Sequence, residues 1–293
     1  MSEPEVECIV ECANILGEGP IWHPKEQALY WCDNLKPSIQ RYDPATGAVT
    51  AWPLEKQVGS IVFREQGGVA AGMEHGFCFI YLDSGTIEEI VDPEADLSGN
   101  RLNDGKCDRA GRYWCGSMDA ALKSPTAALY RFDPDKSCHR MDDGFTVSNG
   151  IAFSPDDKVM YFSDSRADTV YAYDFDLASG MIANRRVFIS TKDIAGRVDG
   201  ATVDADGFYW CAHIHAGEIA RYDPDGALER TIPLPVRHPT MCTFGGENLD
   251  TLYVTSSTKF LEPGKAEKQP LAGGLFAVRD VGATGLVEPF FAG

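Results

Sequence analysis

The segment Val147-Ser148-Asn149-Gly150 is one of six related stretches that open successive β-type segments of the chain, at intervals of about 40 to 50 residues. Each stretch places a polar residue beside or near a small residue, usually glycine. The other five are Leu16-Gly17-Glu18-Gly19, Val58-Gly59-Ser60, Leu102-Asn103-Asp104-Gly105, Val198-Asp199-Gly200 and Pro239-Thr240-Met241-Cys242. A regular recurrence over this length is typical of a repeat architecture, in which each repeat forms one supersecondary unit.

The remainder of each repeat predicts short strands and no helix. An aromatic pair follows most openings, and a turn of the aromatic-Asp-Pro type usually closes the unit. The clearest pairs are Tyr30-Trp31, Tyr113-Trp114, Tyr161-Phe162 and Tyr209-Trp210. We therefore predict an all-β chain that forms a single six-bladed β-propeller domain over residues 1–293, with the six openings meeting at one central channel. The segment from Glu5 to Glu11 is predicted to close the last blade as an outer strand beside Leu275 to Val278.

The composition favours an acidic, soluble protein. The chain has 293 residues, with 26 basic and 44 acidic side chains and a net charge of −18. This charge attracts cations and disfavours binding to a nucleic-acid backbone. The N-terminus lacks the basic start and apolar run of a signal peptide, and no apolar stretch is long enough to span a membrane. We expect a cytoplasmic monomer or weak oligomer with no nucleic-acid or membrane partner.

The nine cysteines predict packing, not disulfides or zinc binding. Their number is odd, no Cys-x-x-Cys pair occurs, and Cys32, Cys115 and Cys211 follow the aromatic pair at the same place in three repeats. A reduced thiol at such a place behaves as a small buried hydrophobe. Cys8 and Cys12 are predicted to share one face of the first strand, where a redox role stays an alternative.

Four of the six openings carry carboxylate or amide side chains, which are oxygen ligand types, namely Glu18, Asn103 with Asp104, Asn149 and Asp199. Taken singly, an Asn-Gly or Asp-Gly pair is most often turn chemistry. Their recurrence at the same phase of separate repeats favours ligation, because a propeller brings that phase to one point. Glu18, Asn149 and Asp199 would supply two carboxylates and one amide oxygen. That set suits Ca²⁺, Mg²⁺ or Mn²⁺, while Zn²⁺ and Fe²⁺ stay open as alternatives.

Five strings of the sequence resemble the regucalcin family, which is also called the senescence marker protein, gluconolactonase or luciferin-regenerating-enzyme-like family. The strings are Leu16-Gly17-Glu18-Gly19-Pro20, Arg101-Leu102-Asn103-Asp104-Gly105-Lys106, Ser148-Asn149-Gly150, Asp199-Gly200 and Phe244-Gly245-Gly246. Their order and spacing match the family over nearly the whole chain. The resemblance implies a six-bladed propeller that holds one divalent cation in its channel and hydrolyses a sugar lactone to the sugar acid.

The resemblance also implies roles for individual residues. Glu18, Asn149 and Asp199 match the metal-ligand positions of the family, and Arg101 and Asn103 match positions that contact substrate hydroxyls. Arginine offers a fork of donors and asparagine offers a donor and an acceptor, so both suit a polyol. Without the resemblance, a strand-end salt bridge for the arginine and an Asx turn for the asparagine would be the simpler interpretations.

Two further residues are predicted to line the substrate pocket. After Gly116-Ser117-Met118 the animal members of the family place a substrate-contacting glutamate, whereas this chain has Asp119, which we expect to substitute from a shifted position. His213 and His215 follow Tyr209-Trp210-Cys211-Ala212, and their alternate spacing points both to one face. His213 is predicted as a pocket residue without a catalytic role.

The predicted reaction is hydrolysis of a cyclic ester. A bound cation would polarise the lactone and lower the pKa of a bound water, and Asp199 is the predicted general base. No Gly-x-Ser-x-Gly elbow occurs, which disfavours a covalent serine intermediate. Three alternatives stay open, namely hydrolysis of aryl esters or organophosphates at the same cation, a Ca²⁺-binding regulatory protein, and a protein-interaction platform.

Overall fold

The computed structural model describes residues 3–262, 264 and 268–293. This part of the chain contains 24 β-strands and no α-helix, and the strands form six antiparallel sheets of four strands each. The sheets are the blades of a six-bladed β-propeller, which confirms the fold predicted from the repeats. Among the described residues, no helix is long and apolar enough to cross a membrane.

The first three blades run in chain order from the channel outward. Blade 1 consists of β2 (Gly17–His23), β3 (Ala28–Asp33), β4 (Ser38–Tyr42) and β5 (Val49–Pro53). Blade 2 consists of β6 (Val58–Phe63), β7 (Val69–Met73), β8 (Gly76–Tyr81) and β9 (Thr86–Val91). Blade 3 consists of β10 (Asn100–Cys107), β11 (Tyr113–Asp119), β12 (Ala127–Phe132) and β13 (Cys138–Phe145).

Two more blades follow the same order, and the last combines both ends of the chain. Blade 4 consists of β14 (Ser148–Phe153), β15 (Val159–Asp164), β16 (Thr169–Asp176) and β17 (Met181–Ser190). Blade 5 consists of β18 (Arg197–Val203), β19 (Tyr209–Ile214), β20 (Glu218–Tyr222) and β21 (Leu228–Pro233). Blade 6 consists of β22 (Pro239–Gly245), β23 (Thr251–Ser256), β24 (Leu275–Arg279) and β1 (Glu5–Val10).

The innermost strands form a closed ring. Each of β2, β6, β10, β14 and β18 contacts the next innermost strand, and β22 contacts β2. At the periphery, β1 pairs antiparallel with β24, with Glu5 opposite Arg279 and Val10 opposite Leu275. The predicted closing strand is therefore confirmed. Pairing of the two chain ends also protects an edge that would otherwise expose unpaired backbone groups.

The second strand of each blade contributes much of the deeply buried core. Trp31, Trp114 and Trp210 are fully buried there, and the cysteines that follow them are buried as well. All nine cysteines are free, which confirms the predicted packing role. The prediction that Cys8 and Cys12 share a strand face was wrong. Cys12 lies beyond the end of β1, where its thiol donates to Gly273 O at 3.2 Å, so Cys8 and Cys12 do not share a strand face.

The C-terminal residues 280–293 cross the face of the propeller at which the innermost strands end. Ala205 N donates to Thr284 O at 2.8 Å, and Ala292 N donates to Gly111 O at 3.0 Å. Near the axis, the carboxylate of Glu288 pairs with the ammonium of Lys106. This tail covers the channel at the end opposite to the six openings.

Candidate functional site

Bulges in the innermost strands position the polar residues of the openings. Pairing with the second strand of the blade is interrupted between Glu18 and Ile21, and the same interruption recurs in blades 3, 4 and 5, between Leu102 and Gly105, Asn149 and Ala152, and Val198 and Ala201. A bulge bends a strand and redirects the side chains beside it. Gly150 shows why small residues are needed here. Its φ is +60°, and a Cβ would lie 2.3 Å from the hydroxyl of Tyr209.

Hydrogen bonds connect the polar residues of blades 3, 4 and 5. The amide of Asn103 donates to Asn149 Oδ1 and to Ser148 O, both at 2.9 Å. The amide of Asn149 in turn donates to Ser165 Oγ at 2.9 Å, and that hydroxyl donates to Val198 O at 2.6 Å. These contacts fix the orientation of the Asn149 side chain, with its amide oxygen on the side of Asn103.

Three carboxylates lie close enough together at the axis for their charges to interact. Burial raises the pKa of Glu18 well above its usual value, and the charges of Asp199 and Asp104 raise it further. Burial likewise raises the pKa of Asp199, again with a contribution from Asp104. The pKa of Asp104 is raised by burial too, although Ile151 N donates to its carboxylate at 3.1 Å. The site therefore holds negative charges whose ionisation is costly without a cation.

The residues present fit a hard divalent cation. Glu18, Asn149 and Asp199 offer oxygen ligands from three different blades, and a cation among them would relieve the repulsion between the buried carboxylates. Within the described residues, no three His, Cys, Asp or Glu side chains are grouped as a metal site. A cation at the axis would therefore use the amide oxygen of Asn149 in addition to the carboxylates.

Arg101 connects this group to an open cavity at the face where the openings lie. Burial lowers the pKa of its guanidinium, while the charges of Glu18, Glu74 and Asp199 act in the opposite direction. One of its N–H groups donates to Leu102 O at 2.9 Å. The cavity has a volume of about 470 Å³ and is lined by polar side chains that include His75. A volume of this size accommodates a small polar ligand.

His213, one of the two predicted pocket residues, does not face the cavity. His213 is 1% exposed and lies inside blade 5, where Nδ1 is 3.0 Å from Glu218 Oε1 and Nε2 is 3.2 Å from the hydroxyl of Tyr222. The structure thus corrects the predicted pocket position of His213, because both ring nitrogens are occupied within the blade. His215 does not continue the strand alternation. It lies in the turn after β19 with a φ of +74°.

Asp119 is likewise not part of the axial group. Its carboxylate accepts hydrogen bonds from the backbone N–H groups of Ala121, Lys123 and Ser124 at 3.0, 2.9 and 2.8 Å. These three bonds lower the pKa of the carboxyl. The carboxylate organises the turn after β11, which corrects the expectation that it substitutes for a substrate-contacting glutamate.

Sequence reasoning missed one charged residue at the axis, Lys259. The charges of Asp199 and Glu18 both act on its ammonium, although Lys259 lies in the segment that follows β23 and outside every repeat opening. No sequence signal marks this lysine, since its segment has no counterpart at the same phase of the other repeats. Only the closure of the ring brings it beside blade 1.

The fold and this site define a class of protein, a six-bladed β-propeller whose channel carries carboxylate and amide side chains from several blades. Residues 16–258 match the family model described as the SMP-30/gluconolactonase/LRE-like region. The chain therefore belongs to the SMP-30/gluconolactonase/LRE-like family.

Individual relatives are similar over the whole chain. The 6-deoxy-6-sulfogluconolactonase of Pseudomonas putida is 36% identical, with 98% of this chain and 99% of the relative covered. The regucalcin of Oryctolagus cuniculus is 33% identical, with both chains fully covered. Among solved structures, a calcium-binding protein, regucalcin, from Agrobacterium tumefaciens superposes with a TM-score of 0.93 at 26% identity, over 97% of this chain and 96% of the other.

Proposed function

We propose that this protein hydrolyses a sugar lactone to the sugar acid with the help of one divalent cation. One observation carries the proposal. Glu18 and Asp199, from blades 1 and 5, are buried carboxylates whose charges interact with each other and with Arg101, and Arg101 lines an open cavity. Asn149, at the matching opening of blade 4, is the third oxygen ligand of the proposed site. The similarity to a 6-deoxy-6-sulfogluconolactonase supports the choice of a lactone as substrate. The family alone would leave the substrate class open.

Each side chain of the group has a separate role in the proposed reaction. A bound cation supplies Lewis acidity toward the lactone carbonyl and a lowered pKa for water. Glu18, Asn149 and Asp199 would hold the cation, and Asn103 orients the amide of Asn149 through the bond at 2.9 Å. Arg101 has N–H groups beyond the one bound to Leu102 O, and these donate to the hydroxyls of the sugar.

The bond changes follow from these positions. Asp199 accepts a proton from water as the water oxygen forms a bond to the carbonyl carbon of the lactone. The ring C–O bond then breaks, and the proton is delivered to the departing ring oxygen, which becomes a hydroxyl group. The product is an open-chain hydroxy acid, so that each turnover releases one proton near neutral pH. Asp199 would suit this role because it is a buried carboxylate whose charge interacts with the other charged groups at the axis.

Proton release provides the test. Metal-stripped protein is assayed on a panel of γ- and δ-aldonolactones, then with Ca²⁺, Mg²⁺, Mn²⁺, Fe²⁺ or Zn²⁺ added singly, and spontaneous ring opening is subtracted. We expect no turnover without a cation and restored turnover with at least one. If the cations raise the melting temperature but no lactone reacts, the chain is a cation-binding protein like the regucalcins and the proposal fails.

Substitution of Asp199 tests its role as ligand and base. Asp199→Ala is expected to lose cation binding together with hydrolysis, whereas Asp199→Asn keeps an oxygen ligand but loses the base, which costs about 10²- to 10⁴-fold in kcat. Calorimetry measures the cation affinity and the proton assay measures kcat. Asp225→Ala, at an exposed turn of blade 5, is the matched control and should change neither quantity. Full activity in both Asp199 variants would contradict the assignment.

A further inference from the structure

The segment that follows β23 holds Lys259 at the mouth of the channel. Its backbone N–H donates to Ile15 O at 3.0 Å, just before the opening of blade 1, and Ser257 Oγ donates to the same carbonyl at 2.7 Å. The ring of Phe260 packs against His215 and His238 at centroid distances of 5.1 and 5.5 Å. These contacts anchor the segment between blades 5, 6 and 1.

Lys259 combines solvent access with proximity to the axis, since the residue as a whole is exposed while burial lowers the pKa of its ammonium. The residue is exposed, and its Nζ lies 5.3 Å from the centroid of the Phe260 ring. Its charge nevertheless interacts with Asp199, Glu18 and Arg101. Among the described residues, no carboxylate lies within ion-pair distance of this ammonium. A ligand that enters the channel from solvent can therefore reach it.

The charges around the axis indicate what kind of ligand is favoured. Glu18, Asp104 and Asp199 face two cations, Arg101 and Lys259, so the formal charge of this group is one negative unit. A divalent cation changes it to one positive unit. Glu74 also acts on Arg101, and counting its carboxylate makes the cation-loaded group neutral. The preference for a negatively charged ligand therefore rests on the positions of Arg101 and Lys259, the two cationic side chains of this group.

The two cations come from segments on opposite sides of the ring of blades. Arg101 belongs to blade 3, and Lys259 follows the second strand of blade 6, three blades away in a ring of six. A sugar ring over the axial carboxylates would thus have a cation at either side. Charge-assisted hydrogen bonds are stronger than those between neutral groups, so a cation in this place discriminates between charged and neutral sugars.

We propose that Lys259 binds an anionic substituent of the substrate, with Arg101 acting across the mouth, and that the preferred lactones therefore carry a phosphate, sulfonate or carboxylate group. This inference rests on the proposed lactonase function. It assigns Lys259 to substrate specificity and gives it no part in the bond changes.

A comparison of lactones that differ only in charge tests the proposal. The substrates are D-glucono-δ-lactone and its 6-phosphate, 6-sulfonate and 6-carboxylate counterparts, assayed with cation-loaded protein. We expect a higher kcat/KM for at least one charged lactone than for the neutral one. Lys259→Met should lower kcat/KM on that lactone by about 10- to 100-fold, the effect of one lost charge-assisted hydrogen bond, with little change on the neutral lactone. Lys259→Arg should restore most of the preference.

Controls separate the possible failures. Lys158→Met removes the same charge from a side chain that is 77% exposed on a turn of blade 4, and it should leave the preference unchanged. Equal loss on charged and neutral lactones in Lys259→Met, or no preference in the wild type, would overturn the proposal. If no lactone reacts, the proposed function fails instead. Calorimetric binding of the corresponding open-chain acids then decides the charge preference, and equal affinity for gluconate and its 6-substituted forms would overturn it.

Discussion

Asp204 is a fully buried carboxylate that holds blade 5 together. It directly follows β18 and accepts hydrogen bonds from Trp210 Nε1 at 2.8 Å and from Arg221 Nη2 at 2.7 Å. Blade 3 repeats the arrangement, with Asp108 bound to Trp114 Nε1 at 2.9 Å and to Arg112 Nε at 2.7 Å. In both repeats the aspartate lies at the same position, directly after the innermost strand. It accepts the hydrogen bond of the buried indole N–H and neutralises a buried arginine.

Loss of this carboxylate should be strongly destabilising. Asp204→Ala leaves the guanidinium of Arg221 buried with only the weaker contact to Glu229 at 3.4 Å. We expect a decrease of about 3 to 5 kcal/mol in the free energy of unfolding, as for other broken buried ion pairs. Urea denaturation measures it. Asp206→Ala, on the exposed turn two residues later, is the control, and equal midpoints for the two variants would contradict the assigned role.

At the scale of elements, the architecture of the site depends on strand bulges and on blade 6, which combines strands from both ends of the chain. Each innermost strand that carries a candidate site residue has its pairing interrupted at that residue, so regular pairing resumes only after the side chain has been directed toward the axis. The blades can converge in this way only if the ring stays closed. Among the strands of the described residues, β1 is the one that pairs with a sequence-distant partner to complete its blade, and we expect closure to depend on it.

Deletion of residues 1–10 tests this dependence. The variant loses the ladder between β1 and β24 and the packing of Val6 and Cys8 on the core of blades 5 and 6. With several ladder hydrogen bonds lost at about 1 kcal/mol each, the melting temperature should decrease by several degrees. The bare edge of β24 should also cause association at high concentration. Deletion of residues 1–4, which precede β1, is the control, and an unchanged melting temperature after the longer deletion would contradict the closing role.

At the scale of the whole molecule, the C-terminal tail acts as a second closure. Phe291 is fully buried and stacks on Phe132 at a centroid distance of 5.1 Å, and its backbone N–H donates to Phe63 O at 2.7 Å. The tail contacts blades 5 and 6 before it reaches blades 2 and 3. It thus links blades that are distant in the ring, at the end of the channel opposite to the site.

Substitution of the two neighbouring phenylalanines separates this role from local packing. Phe291→Ala creates a cavity under blades 2 and 3 and should lower the free energy of unfolding by about 3 to 5 kcal/mol. Phe290→Ala should lower the free energy of unfolding by less, because Phe290 is only partly buried. Its ring centroid lies 5.3 Å from that of Phe63. Chemical denaturation compares the two. The folded fraction of either variant should keep its cation affinity, and a selective loss of that affinity in Phe291→Ala would show that the tail shapes the site.

Much of the fold followed from local patterns. The repeat openings, the aromatic pairs and the closing strand are sequence features, and each was found where the pattern predicts it. The proximity of the Glu18 and Asp199 carboxylates followed as well, since equal phase in a propeller means a shared axis, and Asn149 lies at the start of the innermost strand of blade 4. Their assignment as ligands stays a prediction. The positions of Asp119 and His213 were not predicted correctly. Asp119 binds backbone N–H groups of the turn after β11, and His213 binds Glu218 and Tyr222 inside blade 5.

The sequence by itself determined the number of blades, the order of strands and the residues that point to the axis, because these depend on a period and on turn chemistry that are local in the chain. Only the tertiary structure decided the electrostatic interaction of Lys259 with Asp199, the enclosure of His213 and the path of the tail over the channel. Those features join residues from different blades, and no local pattern encodes which distant side chains meet when the ring closes.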